Sequence, residues 1–144
     1  ITHKLAINYF LRRYNMNNLK HLQEFKNGFI AAMCFADSPE ESMWDWDEEN
    51  LDPLCHEAIK AICTLYLSKC AHIIEKLDSL DNSDLCHWGS VGADLYYTMV
   101  GHGVGLWETD KYPVDKNGPY LDEVSKDMPH FEPQFDEKEM IIYC

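Results

Sequence analysis

The segment DLYYTMVGHGVGLW spans residues 94–107, and its reading decides whether the C-terminal half is built from sheet or from helix. Residues 94–98 and 104–107 are rich in aromatic and β-branched side chains, the composition favoured in strands. Gly101 and Gly103 between them tolerate the positive φ of a tight turn. The pattern predicts a β-hairpin with Gly101-His102-Gly103 at its tip. Thr98 would bond to the turn backbone and help hold His102 there. Gly105 marks a bulge or a close backbone approach. Trp107 would anchor the hairpin on a helix.

Outward from this segment the chain reads as helices first and a small sheet last. Residues 3–13 suggest a short amphipathic helix, broken by Asn15-Met16-Asn17-Asn18. A second helix is predicted from about Leu19 to Ala36, because Leu22, Phe25, Phe29 and Met33 recur at three- and four-residue steps. Asp52-Pro53 is a helix start, an N-cap carboxylate followed by proline at the first helical position. That helix should run over about 53–77 with Leu54, Ala58, Ile62, Leu65, Tyr66, Ile73 and Leu77 inward. Residues 78–84 break it, with a helical turn through Cys86 and Trp88 beyond. Downstream, 110–118 is a loop and 119–127 a short helix carrying Leu121 and Val124. Strands are expected at 130–135 and 140–144, the first demoted to an edge by Pro133. The expected class is α+β: N-terminal helices packed on a small antiparallel sheet from the C-terminal half. Residues 1–20 form a basic extension, and 21–144 a single domain.

Charge is the strongest compositional signal. The 144 residues carry 25 acidic and 12 basic side chains, a formal net charge of −13. Residues 1–30 hold five basic side chains against Glu24 alone, so residues 31–144 carry the whole negative excess. Such a body repels phosphate backbones and favours a basic partner. Residues 37–52, DSPEESMWDWDEENLD, hold eight carboxylates and no base. Trp44 and Trp46 inside this acidic stretch either fold back onto the core or await a partner. The six cysteines show no CxxC pair, and free thiols in a reducing cytosol are expected. No signal peptide or long apolar run is visible.

Gly92, Asp94, Thr98, Gly101, His102, Gly103, Gly105 and Trp107, with Leu106 and Glu108 conservatively placed, match a motif in register. The segment resembles a widespread group of small bacteriophage proteins that carry a Gly-His-Gly-x-Gly core followed by an aromatic, a tryptophan and an acid. The resemblance extends more loosely over about residues 25–144, including FIAAMCFADSPEE. Ala93 stands where that group has histidine, and Met99-Val100 where it has Arg-Asn. The group has no settled activity. The resemblance therefore implies phage origin, a shared fold and the cytoplasm of an infected bacterial host, and it supplies no reaction.

Two uses of these residues compete. In the first, the protein is non-enzymatic and needs no cofactor or metal. An acidic surface of Glu40, Glu41, Asp45, Asp47, Glu48, Glu49, Asp122, Glu123 and Asp127, with Trp44 and Trp46 as anchors, binds and inhibits or redirects a host or phage protein. Carboxylates spaced like phosphates would make it a DNA mimic. In the second, His102 is a general base or metal ligand oriented by Asp94 or Glu108, tasks that suit histidine as a residue type. A zinc site from Cys86, His87 and His102 lacks the paired short spacing that structural zinc prefers. A third use makes the basic segment 1–20 a nucleic-acid contact. No phosphate-binding glycine loop and no Gly-x-Ser-x-Gly turn occur.

Overall fold

Helix α1, Leu19–Asp37, buries the stripe its spacing predicts, with Leu22, Phe25, Phe29 and Met33 all in the core. The computed structural model describes residues 19–78, 88–102 and 117–144. The proposed helix at 3–13 lies outside them. After α1 come two single-turn 3-10 segments, Glu41–Met43 and Glu48–Asn50, then α2, Pro53–Asp78. Asp52 caps α2 as expected: its carboxylate accepts from the Leu54 N–H at 3.0 Å. Helix α3, Trp88–Val100, and helix α4, Asn117–Lys126, follow. Strands β1, Gln134–Asp136, and β2, Ile141–Tyr143, close the described chain. They pair antiparallel with Phe135 opposite Ile142. The class is α+β, with the small antiparallel sheet in the C-terminal half.

Residues 94–98 are not a strand. They lie within α3, and Gly101 ends that helix instead of turning a hairpin. Gly101 adopts φ +79°. Its N–H reaches the Thr98 carbonyl at 3.4 Å, and the His102 N–H reaches the Tyr97 carbonyl at 2.8 Å. These paired bonds are the Schellman closure that satisfies the last carbonyls of a helix. The Thr98 hydroxyl bonds back to the Asp94 carbonyl at 2.8 Å inside the helix, in place of the turn bond expected for it. The proposed second strand, 104–107, with Gly103, Gly105, Trp107 and Glu108, lies outside the described residues.

Burial explains why strand-favouring residues are helical here. Trp88, Val91, Leu95 and Tyr96 recur at helical spacing and are all buried, and α3 packs chiefly on α1. The two helices meet backbone to backbone. A Cβ at Gly92 would stand 2.1 Å from the Phe25 carbonyl oxygen, and one at Gly28 would stand 1.8 Å from that of Gly89. Only glycine permits that approach. Tertiary packing thus overrides the local preference of Tyr-Tyr-Thr.

The inner face of α2 is rotated from the expected stripe. Leu54 is 77% exposed. Ile62 and Tyr66 are buried as expected, and Cys55, Ile59, Cys63, Cys70 and Ile74 line the core beside them. Cysteine behaves as a small hydrophobe in such positions, and a stripe that leaves out the cysteines misplaces part of the face. The Tyr66 hydroxyl donates to the Leu121 carbonyl at 3.0 Å and so pins α4 to α2.

The cysteines are not all free. Cys55 is disulfide-bonded to Cys144, closing a separation of 89 residues. Strand β2 lies beside the start of α2 and brings the two together. Cys34, Cys63 and Cys70 are free and buried. Burial pushes the thiols of Cys34 and Cys70 up to about 12 and raises that of Cys63 further. No described helix is long and apolar enough to cross a membrane.

Candidate functional site

The acidic stretch after α1 is held on a rigid frame. Met43 is fully buried and fixes the first turn. Asp47 caps the second turn: its carboxylate accepts from the Glu49 N–H at 2.9 Å, and the Asn50 side chain accepts from the Asp47 N–H at 3.0 Å. Asn50 also donates to the Met140 carbonyl at 3.1 Å, and the Asp52 N–H donates to the Ile142 carbonyl at 2.9 Å. Leu51 makes a parallel bridge to Ile142. The stretch is therefore stitched to β2.

On this frame Glu40, Glu41, Asp45, Asp47 and Glu49 are exposed. A second acidic segment joins them from the turn between β1 and β2. Glu137 lies against Glu40, and its carboxyl is raised above the ordinary value, first by a hydrogen bond to Glu40 and then by that neighbour's charge. Sequence reasoning missed Glu137, because only the fold brings residues 40 and 137 together.

The two tryptophans divide. Trp46 is half-buried against the core, with its ring 6.3 Å from Phe135. Trp44 is 44% exposed and lies 4.9 Å from Phe35, itself 56% exposed. An exposed aromatic pair thus stands at the edge of the acidic frame.

Glu48 differs from its neighbours. One oxygen accepts from Lys26 Nζ at 2.9 Å and lies 2.6 Å from His56 Nε2. The other accepts from Gln23 Nε2 at 3.0 Å. The hydrogen bond from Lys26 is the main cause holding its carboxyl below the usual range. Lys26 is only 5% exposed, so Glu48 serves as the counter-ion of a buried ammonium and binds inward. Beside it lies a cavity of about 340 Å³ that includes Gln23, Asn27, Trp46, Asp47 and Glu49 in its lining.

A second cluster surrounds the Gly-His turn. Closure of α3 by Gly101 sets His102 beside the C-terminus of α1, where His102 Nε2 lies 3.0 Å from Asp37 Oδ1. The Tyr96 hydroxyl donates to the other Asp37 oxygen. Burial first, and that bond second, raise the Tyr96 phenol. The carboxylate placed on His102 is thus Asp37. Asp94 is buried within α3, and Glu108 lies outside the described residues. Asp37 belongs to the FIAAMCFADSPEE segment, so two stretches separated by 65 residues meet here.

No family model, curated protein or solved structure matches the chain.

The remaining expected residues fall elsewhere. Asp122, Glu123 and Asp127 lie on or just after α4. Asp122 pairs with Lys126 at 3.4 Å, and among the described residues no hydrogen bond or ion pair joins these three acids to the acidic frame. Cys86 and His87 lie outside the described residues. Among those described, no three His, Cys, Asp or Glu side chains are grouped to hold a metal. Cys34 lies close enough to Tyr96 to affect its charge. A thiol raised to about 12 by burial is a poor nucleophile.

Proposed function

We propose that the protein is a non-enzymatic docking protein that engages the basic surface of another protein through its acidic frame. In this reading it is a phage protein of the kind its motif resembles, and it inhibits or redirects a protein of the infected host. The observation that carries the reading is the exposed Trp44–Phe35 pair beside exposed carboxylates on a braced backbone. Charge alone gives steering and on-rate. An aromatic anchor supplies the desolvated contact that charge lacks. A braced backbone loses little freedom on binding, which favours a specific complex over a diffuse ionic one.

The test is capture from host lysate at graded salt, with double-stranded DNA as competitor. Capture should weaken steeply as salt rises. It should fall at least ten-fold with Asp45→Asn, Glu49→Gln and Trp44→Ala together, and persist with His102→Ala. Displacement by DNA supports the DNA-mimic form. Loss with His102→Ala and indifference to the other three changes would remove the proposal. A cytoplasmic site of action belongs to the same reading. The Cys55–Cys144 bridge argues against it, since disulfides are rare in reducing compartments. A count of reactive thiols on freshly lysed cells decides between them.

A second reading rests on the Tyr96–Asp37–His102 chain. A carboxylate that orients an exposed imidazole is the arrangement of a general base. Turnover of any substrate lost with both His102→Ala and Asp37→Asn would favour it.

A further inference from the structure

The cavity beside Trp46 is walled by acceptors, carboxylates and an indole. Glu48 in its wall is satisfied: both oxygens are taken by Lys26, His56 and Gln23, and Lys26 neutralises its charge. The Gln23 amide nitrogen donates twice, to Glu48 and to Asn27 Oδ1 at 2.9 Å. A carboxylate only accepts, so this network fixes which end of the amide is nitrogen. Gln23 Oε1 is then left facing no donor among the described residues. The Glu49 carboxylate makes no hydrogen bond or ion pair among them either. Asp47 uses its carboxylate on the turn it caps and retains acceptor sites. What the cavity offers is these acceptors, the Asn27 amide N–H groups, an unneutralised negative charge from Asp47 and Glu49, and the indole of Trp46.

A ligand for such a site must bring positive charge, several N–H donors and a flat face. Guanidinium has five donors in a planar fork and stacks on aromatic rings. Tryptophan is the best aromatic partner for a cation. An ammonium has three donors on one compact, strongly hydrated point and lacks the planar fork that spans separated acceptors. The volume, about 340 Å³, sits at the small end of ligand cavities, roughly 300–1,000 Å³. It suits one long side chain and the backbone that presents it.

We propose that this cavity receives an arginine side chain of the partner protein, docked against Trp46 with its guanidinium on Asp47, Glu49 and the Gln23 carbonyl. The inference rests on the docking reading and makes it specific: the basic partner is read by an arginine and not by charge alone.

The experiment follows the Trp46 indole N–H resonance, assigned with Trp46→Phe, during titration of the full chain. The probes are the capped peptide acetyl-Gly-Arg-Gly-amide, its lysine counterpart, and agmatine. The arginine peptide should give a saturable shift and bind at least five-fold tighter than the lysine peptide. Asp47→Asn with Glu49→Gln should weaken it at least five-fold. Asparagine remains a good N-cap, so the turn is kept. Glu75→Gln, exposed on α2, should leave the titration unchanged. No shift, equal binding of both peptides, or indifference to the paired change would overturn the inference. Agmatine binding ten-fold tighter than the peptide would overturn it too, marking a site for a free small molecule. If the peptide fails while lysate capture still depends on Asp45 and Trp44, the cavity assignment falls and the docking reading stands. If the peptide binds as expected and lysate capture ignores the acidic frame, the docking reading falls and the cavity keeps its ligand.

Discussion

Glu48 ties Lys26, His56 and Gln23 into one cluster, so its removal tests the frame directly. Glu48→Gln leaves the Lys26 ammonium buried without a counter-charge. The expected loss is about 2–3 kcal/mol at neutral pH, read from urea unfolding. Adding Lys26→Met should recover part of it, because the orphaned charge is then gone. The pH dependence follows from the sign of the shift. Glu48 is held below its unfolded value. Its contribution is therefore complete above the unfolded carboxylate value, about 4.3, and is lost as pH falls through the lower folded value. Glu48→Gln should flatten that acid limb, and a limb unchanged in the variant would refute the pairing. The glycines give a second contrast. A Cβ at Gly28 meets a carbonyl oxygen at 1.8 Å, whereas one at Gly89 meets its nearest neighbour at 3.4 Å. Gly28→Ala should destabilise by about 3 kcal/mol. Gly89→Ala should change stability by less than about 1 kcal/mol, aided by the better helix propensity of alanine. Equal effects would mean that the crossing of α1 and α3 is not as described.

At the scale of elements, the parts legible in the sequence were those whose signal is local. Asp52-Pro53 announces α2 because capping is decided within one turn. The apolar steps of α1 announce its face for a similar reason. The two C-terminal strands were visible in their spacing, though shorter than expected. Helix α3 was not read, since Tyr96, Tyr97 and Thr98 favour strands locally and the deciding contact is with α1, far off in sequence. Its own period, from Trp88 through Val91 to Leu95, was present but was divided between two segments. The disulfide was illegible for a related reason: β2 must be placed before Cys144 can find Cys55. Opening that bridge is a prediction at this scale. Cross-linking across 89 residues restricts the unfolded chain, and Cys144→Ser or reduction should cost about 3–4 kcal/mol. Thermal melts with and without reductant check it, and coincident melts would contradict it.

For the molecule as a whole, the charge was legible and its arrangement was not. Composition gave the net −13. It could not show that Glu137 joins Glu40, that Glu48 turns inward, or that Asp122, Glu123 and Asp127 sit on another element. The same holds for Asp37 and His102, which share no local spacing. An excess of like charge strains the compact state through self-repulsion, which salt relieves. Sodium chloride at about 0.5 M should therefore raise the melting temperature by a few degrees. The same addition should weaken partner capture. A melting temperature lowered by salt would show that the carboxylates are balanced by cations after all.

The ties from Asn50, Leu51 and Asp52 to Met140 and Ile142 also set an order of events during synthesis. Residues 40–50 emerge from the ribosome long before the strand that braces them. Until residues 140–142 have followed, that segment lacks its outer support, and so late a contact closes slowly. A nascent chain stalled at residue 130 would carry every carboxylate of the segment yet lack this brace. That acidic surface is fully braced only once residues 140–142 have emerged and paired.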